Sequence, residues 1–132
     1  MSEPFGSGAA ADADDARARI ADDVRRAMWG EDHLERVALL RERDPELARI
    51  VLHEHFGNVY ADGMLTPQER ALVTVATLVA ENRESQLRSH LEAALRLGVT
   101  EKQLIGLLRH QFLYLGLPRI IEAHKALVAV LG

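Results

Sequence analysis

TPQERALVTVATLVAENRESQLRSHLEAALRLGVTEKQLIGLLRHQFLYLGLP, residues 66–118, is the stretch whose reading decides the fold. It opens on Thr66-Pro67, a cap residue followed by the residue best suited to a first helical position. The segment from Ala71 to Ala80 is apolar on nearly every side, interrupted mainly by Thr74 and Thr77, which predicts a helix covered all round, in part by other subunits. A second helix is expected from about Glu84 to Leu97, with Gly98 as its C-terminal cap. Thr100-Glu101-Lys102-Gln103 has the spacing of a capping box and opens a third helix to about Leu115. Gly116-Leu117-Pro118 stops that helix and starts a last one running to Leu131.

Working outward, the upstream chain follows the same grammar. Met1 to about Ala13 is Ser, Gly, Ala and Asp with little to bury, and reads as a disordered tail. From Asp14, the positions Ile20, Val24 and Ala27-Met28 fall at helical spacing, and Trp29-Gly30 closes that helix. A helix over 31–43 follows, with Leu34 and Val37 facing inward. Asp44-Pro45 is another cap-plus-proline start, and Leu47, Ile50 and Val51 carry its pattern toward Phe56-Gly57. Tyr60 to Leu65 reads as a loop. No segment alternates with period two, so the expected class is all-α, with residues 14–132 as a single helical domain.

Composition narrows the function. Hydrophobic residues are 48% of the chain but aromatics only 5%, so the core must be aliphatic. The net charge of −4, with no basic stripe, argues against nucleic acid as a partner. The absence of cysteine removes disulfides, thiol catalysis and thiolate metal ligands together. The longest mostly apolar run is too short to span a bilayer, and no basic-then-apolar leader opens the chain, so a cytoplasmic protein without membrane partners is expected.

The central helix carries the best candidate chemistry. At about 100° per residue, Leu87, Leu91, Ala94 and Leu95 form one stripe, and Arg88, Glu92 and Arg96 the opposite face. Gln86, His90, Ala93 and Leu97 occupy the flank between, and Arg83 projects on that flank from the first turn. An imidazole bordering a core titrates near neutrality and can act as acid or base. A guanidinium at Arg83 can hold a carboxylate or stabilise an enolate. Gln86 can bond a substrate but cannot shuttle a proton. One His, one Arg and one Gln on a helix also describe an ordinary boundary histidine beside two solvated side chains.

The residues then become recognisable. In order, Leu65-Thr66-Pro67, Arg70-Ala71-Leu72-Val73, Asn82-Arg83, Leu87-x-x-His90-Leu91-x-x-Ala94, Gly98-Val99-Thr100 and Tyr114-x-Gly116-x-Pro118 resemble the carboxymuconolactone decarboxylase family. Arg25-Arg26-Ala27-x-x-Gly30-x-x-His33 and Phe56-Gly57-x-Val59-Tyr60 are similar to its decarboxylase branch, so the resemblance covers about residues 20 to 130. It implies a helical, alkyl hydroperoxidase D-like subunit that assembles into rings as a homo-trimer or homo-hexamer. It also implies a small-molecule substrate and no cofactor. The family's thiol peroxidases need a Cys-x-x-Cys pair where this chain has Arg83 and Gln86, so that activity is excluded. In the decarboxylase style, the histidine matching His90 is the proton donor to the carbanion or enolate left as carbon dioxide departs.

The resemblance has gaps. Gln86 stands where the decarboxylase branch commonly has Glu, and Asp62 where its loop has Arg. His110 replaces a usual Gln, and Arg119-Ile120 a pair of small residues. These changes bear on substrate more than on fold. The expected site is therefore His90 and Arg83 as catalytic groups, with Gln86, His33, Phe56, Tyr60, Arg70 and Tyr114 as substrate contacts. By residue type and position alone, Tyr114 reads slightly better as a core tyrosine, and His33 reads better as a surface or N-terminal-turn histidine. His53 and His55, two apart, point roughly 160° from each other on a helix and are poor joint metal ligands. No metal site is expected. A decarboxylase or lyase leads; an isomerase, dehydratase or cyclase of the same family, or a non-catalytic ring-forming binding protein, are the alternatives.

Overall fold

The computed structural model describes residues 7–132. Every regular element among them is helical. The described residues group into two compact units, one up to Met64 and one from Leu65 to Gly132.

In the N-terminal unit, α1 spans Ser7–Trp29, α2 Glu31–Arg43 and α3 Pro45–Ala48. The expected tail falls partly outside the described residues. Its second half is helical, because α1 begins at Ser7. The buried stripe of α1 also differs from the apolar one. Ala21, Arg25 and Met28 are buried, while Ile20 is 41% exposed. At Asp44 the side chain accepts from the amide of Leu47 at 3.0 Å, as the Asp-Pro start predicts.

Past α3 the backbone continues into a π-helix, Arg49–Val59. Its i→i+5 bonding persists at the end, where the Tyr60 amide donates to the His55 carbonyl at 2.8 Å. Ala48, Leu52 and Phe56 face inward, while Leu47 and Ile50 are exposed. This segment packs along α1. Gly57 permits the approach: a Cβ there would lie 2.4 Å from the Arg17 carbonyl oxygen. Charge also ties the unit together. Arg17 reaches Glu54 at 3.9 Å, and His53 Nδ1 lies 2.8 Å from Asp14.

The C-terminal unit is built from α4 (Pro67–Glu81), α5 (Glu84–Arg96), α6 (Glu101–Leu115) and α7 (Leu117–Leu131). Both anticipated caps form. Thr66 and Glu69 satisfy each other's amides, and Thr100 and Gln103 do the same. Gly98 and Gly116 take positive φ at the breaks after α5 and α6, where an L side chain would be strained. Between α4 and α5 the left-handed residue is Asn82, at φ 56 and ψ 47. One contiguous aliphatic cluster holds the unit, from Ala71 and Val75 on α4 through Leu91 and Leu104 to Leu127 on α7. Polar side chains pin the same interfaces: Gln68 donates to the Leu97 carbonyl and Gln111 to the Ala76 carbonyl.

Helix α4 is not covered all round within one chain. Ala71, Val75 and Val79 are buried, but Val73 is 58% exposed. The hydroxyls of Thr74 and Thr77 bond back to the carbonyls of Arg70 and Val73, each at 2.9 Å, so neither needs an outside partner. A larger apolar surface lies on α6 and α7, where Leu113 is 81% exposed and Phe112, Leu117, Ile121 and Val128 are also exposed.

Candidate functional site

The candidate residues fall into groups that each unit positions by itself. In the C-terminal unit, α5 carries Gln86 and His90 in consecutive turns, with Arg83 as its N-cap residue. The flank dries out along its length. Arg83 and Gln86 are exposed, His90 is half-buried, and Ala93 is fully buried. Neighbouring Leu87, Leu91 and Ala94 enter the core. His90 thus sits at the boundary that its spacing predicts. Half-burial leaves the His90 imidazole between the core edge and solvent.

Arg83 lines a small cavity, about 30 Å³, with Asn82, Leu87, Arg119 and Glu122. That volume suits one water rather than an organic substrate, and His90 is not on its wall. Beside it, the Arg119 guanidinium donates to the carbonyls of Val79 and Ala80 and caps α4. Arg119 therefore serves the end of a helix. Arg70 is half-buried on the first turns of α4. Tyr114 does not pack into the core: it is 74% exposed and lies against His110, ring centroids 5.4 Å apart.

In the N-terminal unit, His33, Phe56 and Tyr60 are brought together, with two residues that the sequence reading gave no site role. Trp29 is the hub. Its ring lies 4.5 Å from His33 and 6.0 Å from Phe56 by centroid. Phe56 in turn meets His55 at 4.8 Å and Tyr60 at 5.1 Å. This cluster joins the end of α1, the first turn of α2 and the π-helix. Asp62, just beyond, accepts from the Met64 amide at 2.9 Å and so holds a turn.

Arg25 is the residue that pattern reading missed. It is 1% exposed and is the only buried charged side chain among the described residues. Its Nη1 reaches Asp22 at 3.4 Å, while its Nε is buried with no hydrogen-bond partner there. Asp22 is shared, because Arg41 from α2 also reaches it at 3.3 Å. Burial lowers the Arg25 pKa, Asp22 opposes that shift, and Arg41 adds to it. Four arginines lie on α1, and helical spacing alone does not single out Arg25 among them. No group of His, Asp and Glu able to hold a metal ion occurs among the described residues.

Comparison with known proteins places this arrangement. The family model for the carboxymuconolactone decarboxylase family matches residues 45–129. A 4-carboxymuconolactone decarboxylase from Acinetobacter baylyi (strain ATCC 33305 / BD413 / ADP1) is 35% identical over 106 residues, covering 80% of this chain and 79% of that protein. With the all-helical architecture and the match across most of the folded chain, the protein belongs to the carboxymuconolactone decarboxylase family.

Proposed function

We propose that the protein is a cofactor-independent decarboxylase or related lyase acting on a small lactone or keto acid, with His90 as its acid-base group. The observation that carries the reading is the half-buried imidazole at the edge of the α5 stripe, in a chain 35% identical to a 4-carboxymuconolactone decarboxylase. In the reaction, the bond to a carboxylate breaks and its electron pair enters a conjugated carbonyl as carbon dioxide leaves. The His90 imidazolium then delivers a proton to the carbanionic carbon and is reprotonated from solvent. Arg83, on the wet part of the same flank, orients an anionic group. The protein works in the cytoplasm as a homo-trimer or homo-hexamer, and the exposed apolar residues of α6 and α7 suit subunit contacts.

The test is turnover of 4-carboxymuconolactone. His90→Ala should lower it by about 10²- to 10⁴-fold, with the far-UV circular dichroism and the oligomer unchanged. Undiminished turnover in a folded variant removes His90 from the mechanism. A second reading rests on Gln86, whose exposed amide cannot transfer a proton: the chain catalyses isomerisation, dehydration or cyclisation, or only binds. Wild-type protein that leaves 4-carboxymuconolactone untouched supports this second reading.

A further inference from the structure

Helix α7 carries two apolar rows. The inner row, Ile120, Ala123, Leu127 and Val130, packs into the aliphatic cluster. About 100° round the helix, Leu117, Ile121, His124, Val128 and Leu131 form an outer row, and all five are exposed. Successive members of the outer row are four, three, four and three residues apart. That is the heptad spacing of a seam that packs against another helix. Its one polar member, His124, stands between two hollows of about 390 Å³ each, one walled by Ile121 and Val128, the other by Phe112 and Arg109. Side chains of a facing helix fill such hollows as knobs.

The extent of the surface suits a second copy of the chain. Leu117, Ile121, Val128 and Leu131, with Phe112 and Leu113 of α6, are between 41% and 81% exposed. At roughly 200 Å² for a large apolar side chain, these offer on the order of 600 Å². A rim of Arg109, His124 and Lys125 brings this near the roughly 800 Å² that each partner of a stable complex buries. The outer row is also symmetric about His124: Ile121 and Val128 stand one step away on either side, Leu117 and Leu131 two. Such a row suits a two-fold contact, in which one patch serves both subunits. Two antiparallel α7 helices would set Ile121 against the partner subunit's Val128 and His124 against the partner subunit's His124. We infer that the outer row of α7 is a two-fold contact with a second copy of this chain, and that His124 at its centre makes the contact acid-sensitive. The contact presupposes the self-association proposed above but none of its chemistry. A lone trimer has no two-fold axis, so the contact selects the hexamer.

Two neutral imidazoles can share a hydrogen bond, one ring nitrogen donating and the other accepting. Protonated, both only donate and both are charged. Only α6 and α7 line the hollows, and the charged groups there are Arg109 and Lys125, with no carboxylate among the described residues. Glu122 on α7 is engaged by Lys125 at 3.2 Å. Separated subunits therefore take up protons more readily than joined ones, and dissociation is favoured as pH falls.

Sedimentation velocity over a dilution series, at about pH 8 and about pH 5.5, tests the contact. At the higher pH the wild type should hold an even number of chains and should halve on dilution. At the lower pH the dissociation constant should rise about 10- to 100-fold, as uptake of one or two protons per contact implies. His124→Leu completes the apolar row and should hold the larger species equally at both pH values. Ile121→Asp should give the smaller species throughout. Both positions are exposed, so the fold should stand, which far-UV circular dichroism checks. An odd number of chains in the wild type at the higher pH, or an unchanged mass in Ile121→Asp, overturns the contact. Equal dissociation constants at the two pH values, or a pH dependence that survives in His124→Leu, overturns the part given to His124. Turnover of 4-carboxymuconolactone is read separately. An acid-sensitive assembly without turnover leaves the contact standing and the decarboxylase reading fallen, and turnover by an assembly indifferent to these variants does the reverse.

Discussion

The two halves of the chain solve the problem of holding helices together by different means. Residues 65–132 use aliphatic packing: a single cluster runs through all four helices, and two capping boxes fix the starts of α4 and α6. Ion pairs there are sparse, local and exposed, such as Arg88 with Glu84. Residues 7–64 bury few large aliphatic side chains. They rely on an aromatic cluster, a close backbone approach at Gly57, and charge pairs that cross between elements. An aliphatic interior offers a ligand almost no directional contact. Rings, imidazoles and a buried guanidinium offer many, so the half with the thinner core holds more of the groups able to recognise a molecule.

If the contrast is right, the halves should fail differently. The largest effect is expected from Leu127→Ala, which empties a position only 1% exposed in the aliphatic cluster. It should cost about 2–5 kcal/mol in denaturant unfolding followed by far-UV circular dichroism. A loss below about 1 kcal/mol would mean that the cluster is not what holds the C-terminal unit. Next comes Gly57→Ala. The added methyl must displace the Arg17 carbonyl, and such overpacking costs about 1–3 kcal/mol. Trp29 lies in this unit, so its fluorescence is the readout; an unmoved midpoint would show that α1 and the π-helix have room to part.

The smallest effect is a pH dependence. Hydrogen bonds from the Thr66 amide and hydroxyl hold the Glu69 carboxyl below its ordinary pKa. A carboxylate with a depressed folded-state pKa stabilises the fold above the usual glutamate range. That contribution fades as pH falls through the lower folded value. In Glu69→Gln, acidification from pH 6 toward about pH 3 should therefore cost less stability than in the wild type. Identical pH profiles would remove the capping box from the account.

The same contrast explains what was legible in the sequence. Helix limits in the C-terminal unit could be read because single residues mark them: Thr66-Pro67, Gly98, Thr100 with Gln103, and Gly116 before Pro118. The position of His90 at a core boundary followed from the spacing of Leu87, Leu91 and Ala94 alone. In the N-terminal unit the same reasoning chose Ile20 over Arg25 as an inward position, because hydropathy assigns a guanidinium to water. The π-helix is not legible because i→i+5 and i→i+4 bonding leave no distinct mark on composition, and the inward positions there are Leu52 and Phe56 rather than Ile50. The aromatic cluster draws on residues 29, 33, 55, 56 and 60 from separate elements, a proximity that only the tertiary structure reveals. Tyr114 was misjudged as possible core for a related reason: an aromatic ring at helical spacing looks buried until its neighbours are known.

The tight turn at Asn82 carries a consequence for the order of assembly. Only Asn82 and Arg83 separate α4 from α5, and the left-handed backbone of Asn82 reverses the chain at once. Two helices joined so closely meet with little loss of loop entropy, and local contacts of this kind speed folding. The hairpin of α4 and α5 is therefore expected to form early in the folding of the C-terminal unit, with φ-values at Val75 and Leu91 higher than those in α7.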